Sequence, residues 1–290
     1  MTLKGLLFIL ASALFHVLWN TFLKSSQDKP SAILLMMAVT VVAMACYVLI
    51  QDDVSGLFQL SVWVSALAAG FFFFLYQYLV AQAYTRGDLS QVYPLTITAP
   101  LYIAVWSYFL LDERINWIGG LGIACILYGA VSIQMNQLRI SWTLISPQSL
   151  KAPGALLAVL AAFFYSFGAV ADKMGVTVGQ VSAYTLALCL CMLGFHLLRM
   201  AGQNHLGPAL QELRLHPWII ICGGLVMMLS FITFRIGLQE VYASYASALR
   251  QVSTLFGLLI AYFVFREPFG LNRVVSTLCI CAGAMLLKLG

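Results

Sequence analysis

Ten stretches of this sequence, each about the length that crosses the hydrocarbon core of a bilayer, follow one another with almost no charge inside them. They run from residues 4 to 24, 31 to 51, 60 to 84, 89 to 111, 115 to 136, 153 to 173, 180 to 199, 216 to 238, 242 to 265 and 271 to 289. A chain of 290 residues that is 62% hydrophobic and 9% charged cannot bury that much apolar surface in a soluble core, so lipid is its main solvent. The expected fold class is therefore all-α integral membrane, with ten transmembrane helices. The connections QDDVSGLFQ, TRGD, DERIN and REPFG are short, and only 137–151 and 200–216 are longer, so no soluble domain is expected. From Lys4 to about Leu23 the first run has no small-residue cleavage site, so it is expected to stay in the mature protein.

Charge and cysteine usage narrow the partners. The net charge of +5 is carried at the ends of the runs, which is interfacial anchoring and not a nucleic-acid surface. The seven cysteines, at 46, 125, 189, 191, 222, 279 and 281, fall inside apolar runs, and their two C-x-C pairs lack the C-x-x-C spacing of metal or redox sites. They are expected to be small buried hydrophobes, and neither a metal nor a cofactor is expected. A G-x-x-x-x-G-K-[ST] loop is missing, so ATP is not implied.

The sequence repeats itself. GLLFILASALFHVLWNTFLKSS, from Gly5, lies over GALLAVLAAFFYSFGAVADKMG, from Gly154, with Lys24 on Lys173 at an offset of 149. WSYFLLDER lies over IAYFVFREP with Tyr108 on Tyr262, Phe109 on Phe263 and Glu113 on Glu267, at an offset of 154. The expected organisation is a five-helix repeat over 1–138, a connecting loop over 139–152 and a second five-helix repeat over 153–290. Five is odd, so the second repeat enters the membrane the opposite way round, an arrangement associated with alternating access.

With these features, the ALFHVLWNTFLK first span, the YFLLDER and YFVFREP endings and the 5+5 repeat, the chain resembles the drug/metabolite transporter superfamily, and within it the ten-span EamA type. That resemblance covers nearly the whole chain. It implies a carrier for a small organic solute in a bacterial inner membrane and leaves the solute open. The chain also resembles the four-span small multidrug resistance proteins, whose first span bears a glutamate eight residues before a lysine. Here that place holds His16, eight before Lys24, and Tyr165, eight before Lys173. The carboxylate is missing, and Asp172 and Glu240 are read as lying at span ends. A histidine can still titrate near neutrality, which makes His16 the candidate proton-coupling residue and protons the candidate coupling ion.

Arg250 stands alone in a run without other charge until Arg266, and the repeat sets it opposite Thr96. An arginine inside a span costs about 2.5–3.5 kcal/mol on insertion scales and faces a bundle interior or a water-filled path. Its planar fork suits a carboxylate or phosphoryl oxygen of the cargo; the competing reading is a guanidinium that steadies helix-end carbonyls. The candidate substrate-binding residues are Arg250, Tyr102, Tyr165, Trp19, Asn20 and Gln77, placed together by the resemblance and not by spacing. Arg235, near the end of the eighth span, is expected to snorkel to the interface, and Lys24 and Lys173 to anchor span ends.

Local features complete the reading. Pro94 and Pro100 are expected to kink the fourth span, whereas their counterparts Ala248 and Thr254 leave the ninth straighter. Gly122 and Gly129 map onto Ser276 and Gly283, so the fifth and tenth spans are expected to pack closely. Glu113 and Glu267 are expected to act as helix N-terminal partners. Tyr84, Tyr108, Trp117, Trp142 and Trp218 fit interfacial belts. Lys4, Arg114, Lys173 and Lys288 lie on the side of the termini, against Lys24, Lys29, Arg86, Arg139, Lys151, Arg199, Arg214, Arg266 and Arg273 on the other. Charge bias thus places the termini outside and the resemblance places them in the cytoplasm, so orientation stays open.

The expected function is secondary active transport of a small anion or zwitterion, such as an amino acid, carboxylate or phosphonate metabolite, with lipid and cargo as the partners and no obligatory protein partner. A flippase for a lipid-linked phosphate or sugar is the alternative within transport. A membrane-embedded enzyme would need a nucleophile with a base, a metal cluster or paired carboxylates, and His16, His196, His205 and His216 have no acid at useful spacing.

Overall fold

In the computed structural model of the chain, the described residues are 1–87, 89–135, 153–202, 206–263 and 270–290. The connecting loop expected at 139–152, with Trp142, and the residues His205, Arg266 and Glu267 lie outside them. The described segments form thirteen α-helices: α1 (Leu3–Lys24), α2 (Lys29–Ile50), α3 (Leu60–Arg86), α4 (Leu89–Thr96), α5 (Ala99–Leu111), α6 (Trp117–Met135), α7 (Ala155–Val178), α8 (Val181–Gly202), α9 (Leu206–Leu215), α10 (Pro217–Glu240), α11 (Ala243–Arg250), α12 (Ser253–Phe263) and α13 (Leu271–Leu289). Eight stretches are long and apolar enough to cross a membrane, and Trp117–Ile133 is a shorter apolar helix. The ninth expected span is split into α11 and α12, as the fourth is into α4 and α5, and with both counted as single passes the ten-span, two-repeat architecture stands.

Packing follows the repeat. Helix α1 lies along α10 while its counterpart α7 lies along α3, and α6 packs on α13. The second spans meet each other as α2 against α8, and α5 on α7 is matched by α12 on α1. Each contact thus has its partner under exchange of the halves.

Small residues set these approaches, because lipid offers no hydrophobic drive for helices to associate and close backbone contact must do so. A Cβ on Gly122 would come within 2.9 Å of the Gly283 carbonyl, and one on Gly129 within 2.6 Å of the Ser276 carbonyl. The fifth and tenth spans therefore pack through the small residues that the sequence singles out, with the contacts crossed relative to the repeat: Gly122 meets Gly283 and Gly129 meets Ser276. Between α1 and α10 the hydroxyls of Ser12 and Ser230 each donate to the other's backbone carbonyl, at 2.9 and 3.2 Å.

Both the fourth and ninth spans are broken, which corrects the expectation of a straighter ninth. In the first repeat Pro100 stands in the first turn of α5, and the Thr98 hydroxyl donates to the Leu95 carbonyl at 2.7 Å. In the second repeat no proline is needed. Gln251, Val252 and Thr254 donate backbone N–H bonds to Ala248, Leu249 and Gln251, three residues back, and the Thr254 hydroxyl donates to the Gln251 carbonyl. These tight turns and a hydroxyl competing for a carbonyl interrupt the α-helix at the register where proline does so in the other half.

On the side of the termini, Glu113 and Lys4 tie the repeats together, and Lys173 joins two helices of the second. Asp112 ends α5 in a left-handed conformation, φ 51°, and turns the chain so that Glu113 reaches the start of α11. Both Glu113 carboxylate oxygens accept from the Ala243 N–H, at 2.8 and 2.9 Å. Glu113 therefore caps a helix of the opposite repeat and not the α6 that follows it. Lys173 donates to the carbonyls of Leu238 and Val241 at 2.7 and 2.9 Å, so it closes the C-terminal end of α10. Lys4 pairs with Glu240 at 3.0 Å.

The outer surface is apolar. Trp117, Trp218 and Tyr108 stand exposed on it, as interfacial aromatics do. The expectation of buried cysteines fails at Cys46 and Cys281, which are exposed; Cys189 is fully buried and the other four are half-buried. Lipid-facing and core-facing positions are equally apolar, so hydrophobic context cannot separate them.

Two outcomes are expected in detergent. Gly122→Leu should lower the melting temperature by overpacking, at a cost of about 1–3 kcal/mol, while Gly120→Ala, where an added Cβ meets nothing within 4 Å, should leave it unchanged. Burial pushes the Glu113 carboxyl above the ordinary glutamate value of 4.5, against the Ala243 N–H bonds and Lys173, which pull it down. A raised folded-state value contributes stability that is present below the unfolded value and lost as pH rises through the folded one. Melting temperature should therefore decline from acid toward neutral pH, and Glu113→Gln should remove that part of the decline.

Candidate functional site

Helix α11 has the sequence ASYASALR, and its small side chains let it sit buried from Ala243 to Leu249 among α1, α5, α6, α7 and α10. Arg250 closes this half-helix at the break, partly buried. Its Cζ lies 4.4 Å from the centroid of the Phe234 ring of α10, a cation–π contact. Its Nη2 is 3.3 Å from Nδ1 of His16 on α1. A guanidinium only donates, so in the tautomer that makes this contact a hydrogen bond Nδ1 carries the lone pair and Nε2, 3.4 Å from the Asn20 amide, carries the proton.

Residues of both halves surround this pair. The charge of Arg250 acts on the hydroxyls of Tyr165 on α7 and Tyr76 on α3. Those two rings lie 4.9 Å apart, and Phe73 packs 5.2 Å from Tyr165. On the far side of His16, Trp19 stands edge-on at 5.3 Å, and the Asn20 amide donates to the His16 carbonyl at 2.6 Å. The buried Trp19 Nε1 has no hydrogen-bond partner among the described residues.

Arg235 does not snorkel. It is 4% exposed, and its Nε donates to Oδ1 of Asp172, itself 1% exposed, at 2.9 Å. Its Nη1 donates to the Phe231 carbonyl at 3.2 Å. The expected span end at 173 was short: α7 continues to Val178, so Asp172 lies inside the helix. The apolar GVTV after Lys173 and Met174 is the signal that extends it. This buried pair, and the Phe234 face beneath Arg250, were not read as partners from sequence.

Of the residues singled out, Arg250, His16, Tyr165, Trp19 and Asn20 come together. Tyr102 lies elsewhere: its ring packs on Phe163, 5.8 Å away, which is about 200° around α7 from Tyr165. Gln77, next to Tyr76, is half-buried and makes no hydrogen bond with the described residues.

Charge balance defines what the cluster can do. Asp172 neutralises Arg235, and among the described residues no carboxylate pairs with Arg250. The result is a net positive side-chain cluster with aromatic neighbours, whose guanidinium suits a planar anionic group. Removing one partner of the buried pair should strand the other charge: Asp172→Asn is expected to destabilise the detergent-solubilised protein by about 3–5 kcal/mol. Asp172→Asn combined with Arg235→Met should melt above the single variant.

Comparison with known proteins identifies the family and the fold. The model of the EamA-like transporter family matches residues 3–135 and 152–289. An uncharacterized transporter of Methanothermobacter thermautotrophicus is 26% identical over 198 residues, which cover 64% of this chain and 53%, about half, of that relative. A protein of known crystal structure overlays with a TM-score of 0.73 across 99% of this chain and 96% of its own, at 18% identity, a likeness of fold alone.

Proposed function

The chain belongs to the EamA-like transporter family of multi-pass membrane proteins, and on that premise we propose that it is a secondary carrier moving a small organic anion or zwitterion by alternating access. An amino acid, a carboxylate or a phosphonate metabolite fits, and a bacterial inner membrane is the proposed setting. The single observation that carries the reading is Arg250: an interior guanidinium at a helix break, resting on an aromatic face and an imidazole, with no carboxylate paired to it among the described residues. A cation in a low-dielectric interior needs a counter-charge or water. The cargo supplies that charge in this reading, through the two parallel N–H bonds that a guanidinium makes to a carboxylate or phosphoryl group.

The paired architecture supports alternating access. The main interhelical contacts, α1 on α10 with α7 on α3, α2 on α10 with α8 on α3, and α12 on α1 with α5 on α7, come in pairs related by exchange of the halves, so exchanging their conformations would exchange which face is shut. Discontinuous helices put backbone ends beside Arg250 at the register of the break. Trp19 and Asn20 form the wall beside His16, and Tyr165 the wall toward α3. Protons are the proposed coupling ion.

A thermal-shift screen of purified protein against small anions, zwitterions and cations tests the reading. Anions should raise the melting temperature of the native protein, by the equivalent of about 2.7 kcal/mol at a hundred times Kd. Arg250→Lys keeps the charge and loses the fork, and should bind more weakly by about 1–3 kcal/mol; Arg250→Ala should show no anion-specific shift. Equal shifts in all three proteins remove Arg250 from the site.

A further inference from the structure

The contact between Arg250 and His16 joins a group that can only donate to a ring nitrogen that must then accept. In this structure the Nδ1 lone pair of His16 is therefore occupied by the guanidinium. Adding a proton there would remove the acceptor and set an imidazolium against Arg250. An anion on Arg250 changes both terms, because it draws N–H bonds to itself and neutralises the charge facing the imidazole.

We infer that the cargo anion and one proton bind together, the anion on Arg250 and the proton on Nδ1 of His16. The inference rests on the anion reading above and adds the sign of the coupling. On loading, a proton from water adds to the Nδ1 lone pair, the N–H bond forms, and the imidazole becomes an imidazolium. A monovalent anion then enters with one positive charge, so the loaded and empty sites differ by no net charge. By linkage the effect is reciprocal: the proton tightens the anion as much as the anion tightens the proton.

Surroundings favour this assignment. Among the described residues on the helices packed against α1, Arg250 of α11 is the one charged group that acts on His16. Arg235 of α10 is turned to Asp172 of α7, and Glu240, at the end of α10, is paired with Lys4. Tyr165 of α7 and Tyr76 of α3 face Arg250. Helices α2 and α12 bring no described charged group to the imidazole.

Isothermal titration of the full chain in lipid nanodiscs with benzoate, which stays ionised near neutrality, tests the inference. In the native protein Kd should rise about ten-fold per pH unit across the neutral range, the slope for one proton taken up. The heat of binding should also change with the ionisation enthalpy of the buffer, as uptake of one proton requires. His16→Gln should bind benzoate with a flat pH profile, while His196→Gln should keep the native slope. Should His16→Gln fail to fold, the buffer dependence of the native protein decides alone. Benzoate binding that ignores pH and buffer overturns the coupling and leaves the anion site standing. Absence of binding by benzoate, with no thermal shift from any anion of the screen, overturns both.

Discussion

One buried ion pair governs the chemistry of this bundle. Asp172 and Arg235, on α7 and α10, hold each other at 2.9 Å in the interior, and that pairing consumes the acid nearest to Arg250. Two arginines and one carboxylate in a medium of low dielectric leave an excess positive charge, which cannot be relieved by lipid. The protein softens it with the Phe234 ring and the lone pair of His16, both weaker partners than a carboxylate. A site balanced in this way holds its charge in place and remains open to a stronger ligand. Had Asp172 faced Arg250, the cluster would be a closed structural pair.

Helix breaks and crossed caps place that charge. Arg250 is the last residue of a half-helix whose first N–H is held by Glu113 from the other repeat. The same half-helix is thus anchored at one end by a carboxylate and interrupted at the other by hydroxyl and three-residue-back bonding. Lys173 closes the neighbouring α10 at the same membrane face. Glu113 and Lys4, which read as ordinary span ends, fasten one half to the other, whereas Lys173 joins two helices of the second half, and the crossed cap holds the half-helix that ends at Arg250.

Much of the architecture was legible because its causes are local or repetitive. Span length follows from bilayer thickness, so the runs of apolar residues gave the passes to within a few residues. Gly122, Gly129, Ser276 and Gly283 could be singled out from the repeat, since small residues must meet where helices approach, but the repeat maps Gly122 onto Ser276 and Gly129 onto Gly283, and only the fold shows that the contacts are crossed. Arg250 stood out because a charge inside an apolar run has few explanations. Other features gave no such signal. Ala248 and Thr254 hold no proline, and the break there comes from side-chain and backbone hydrogen bonds that only the folded chain reveals. Cys46 and Cys281 face outward although their neighbours are as apolar as those of Cys189. Tyr102 shares a span with the break yet packs on the face of α7 away from Tyr165.

The sequence by itself determined the solvent, the number of passes, the inverted repeat and the presence of an unusual cation, since each depends on composition, length or self-similarity along the chain. Tertiary structure alone decided which acid neutralises which arginine, which helix each carboxylate caps, and that His16 and Arg250 share one contact 234 residues apart in sequence. Those choices depend on rotation of each helix about its own axis. In a chain whose lipid-facing and buried faces are equally apolar, hydrophobic periodicity carries little information about that rotation, and only packing against the neighbouring helices fixes it.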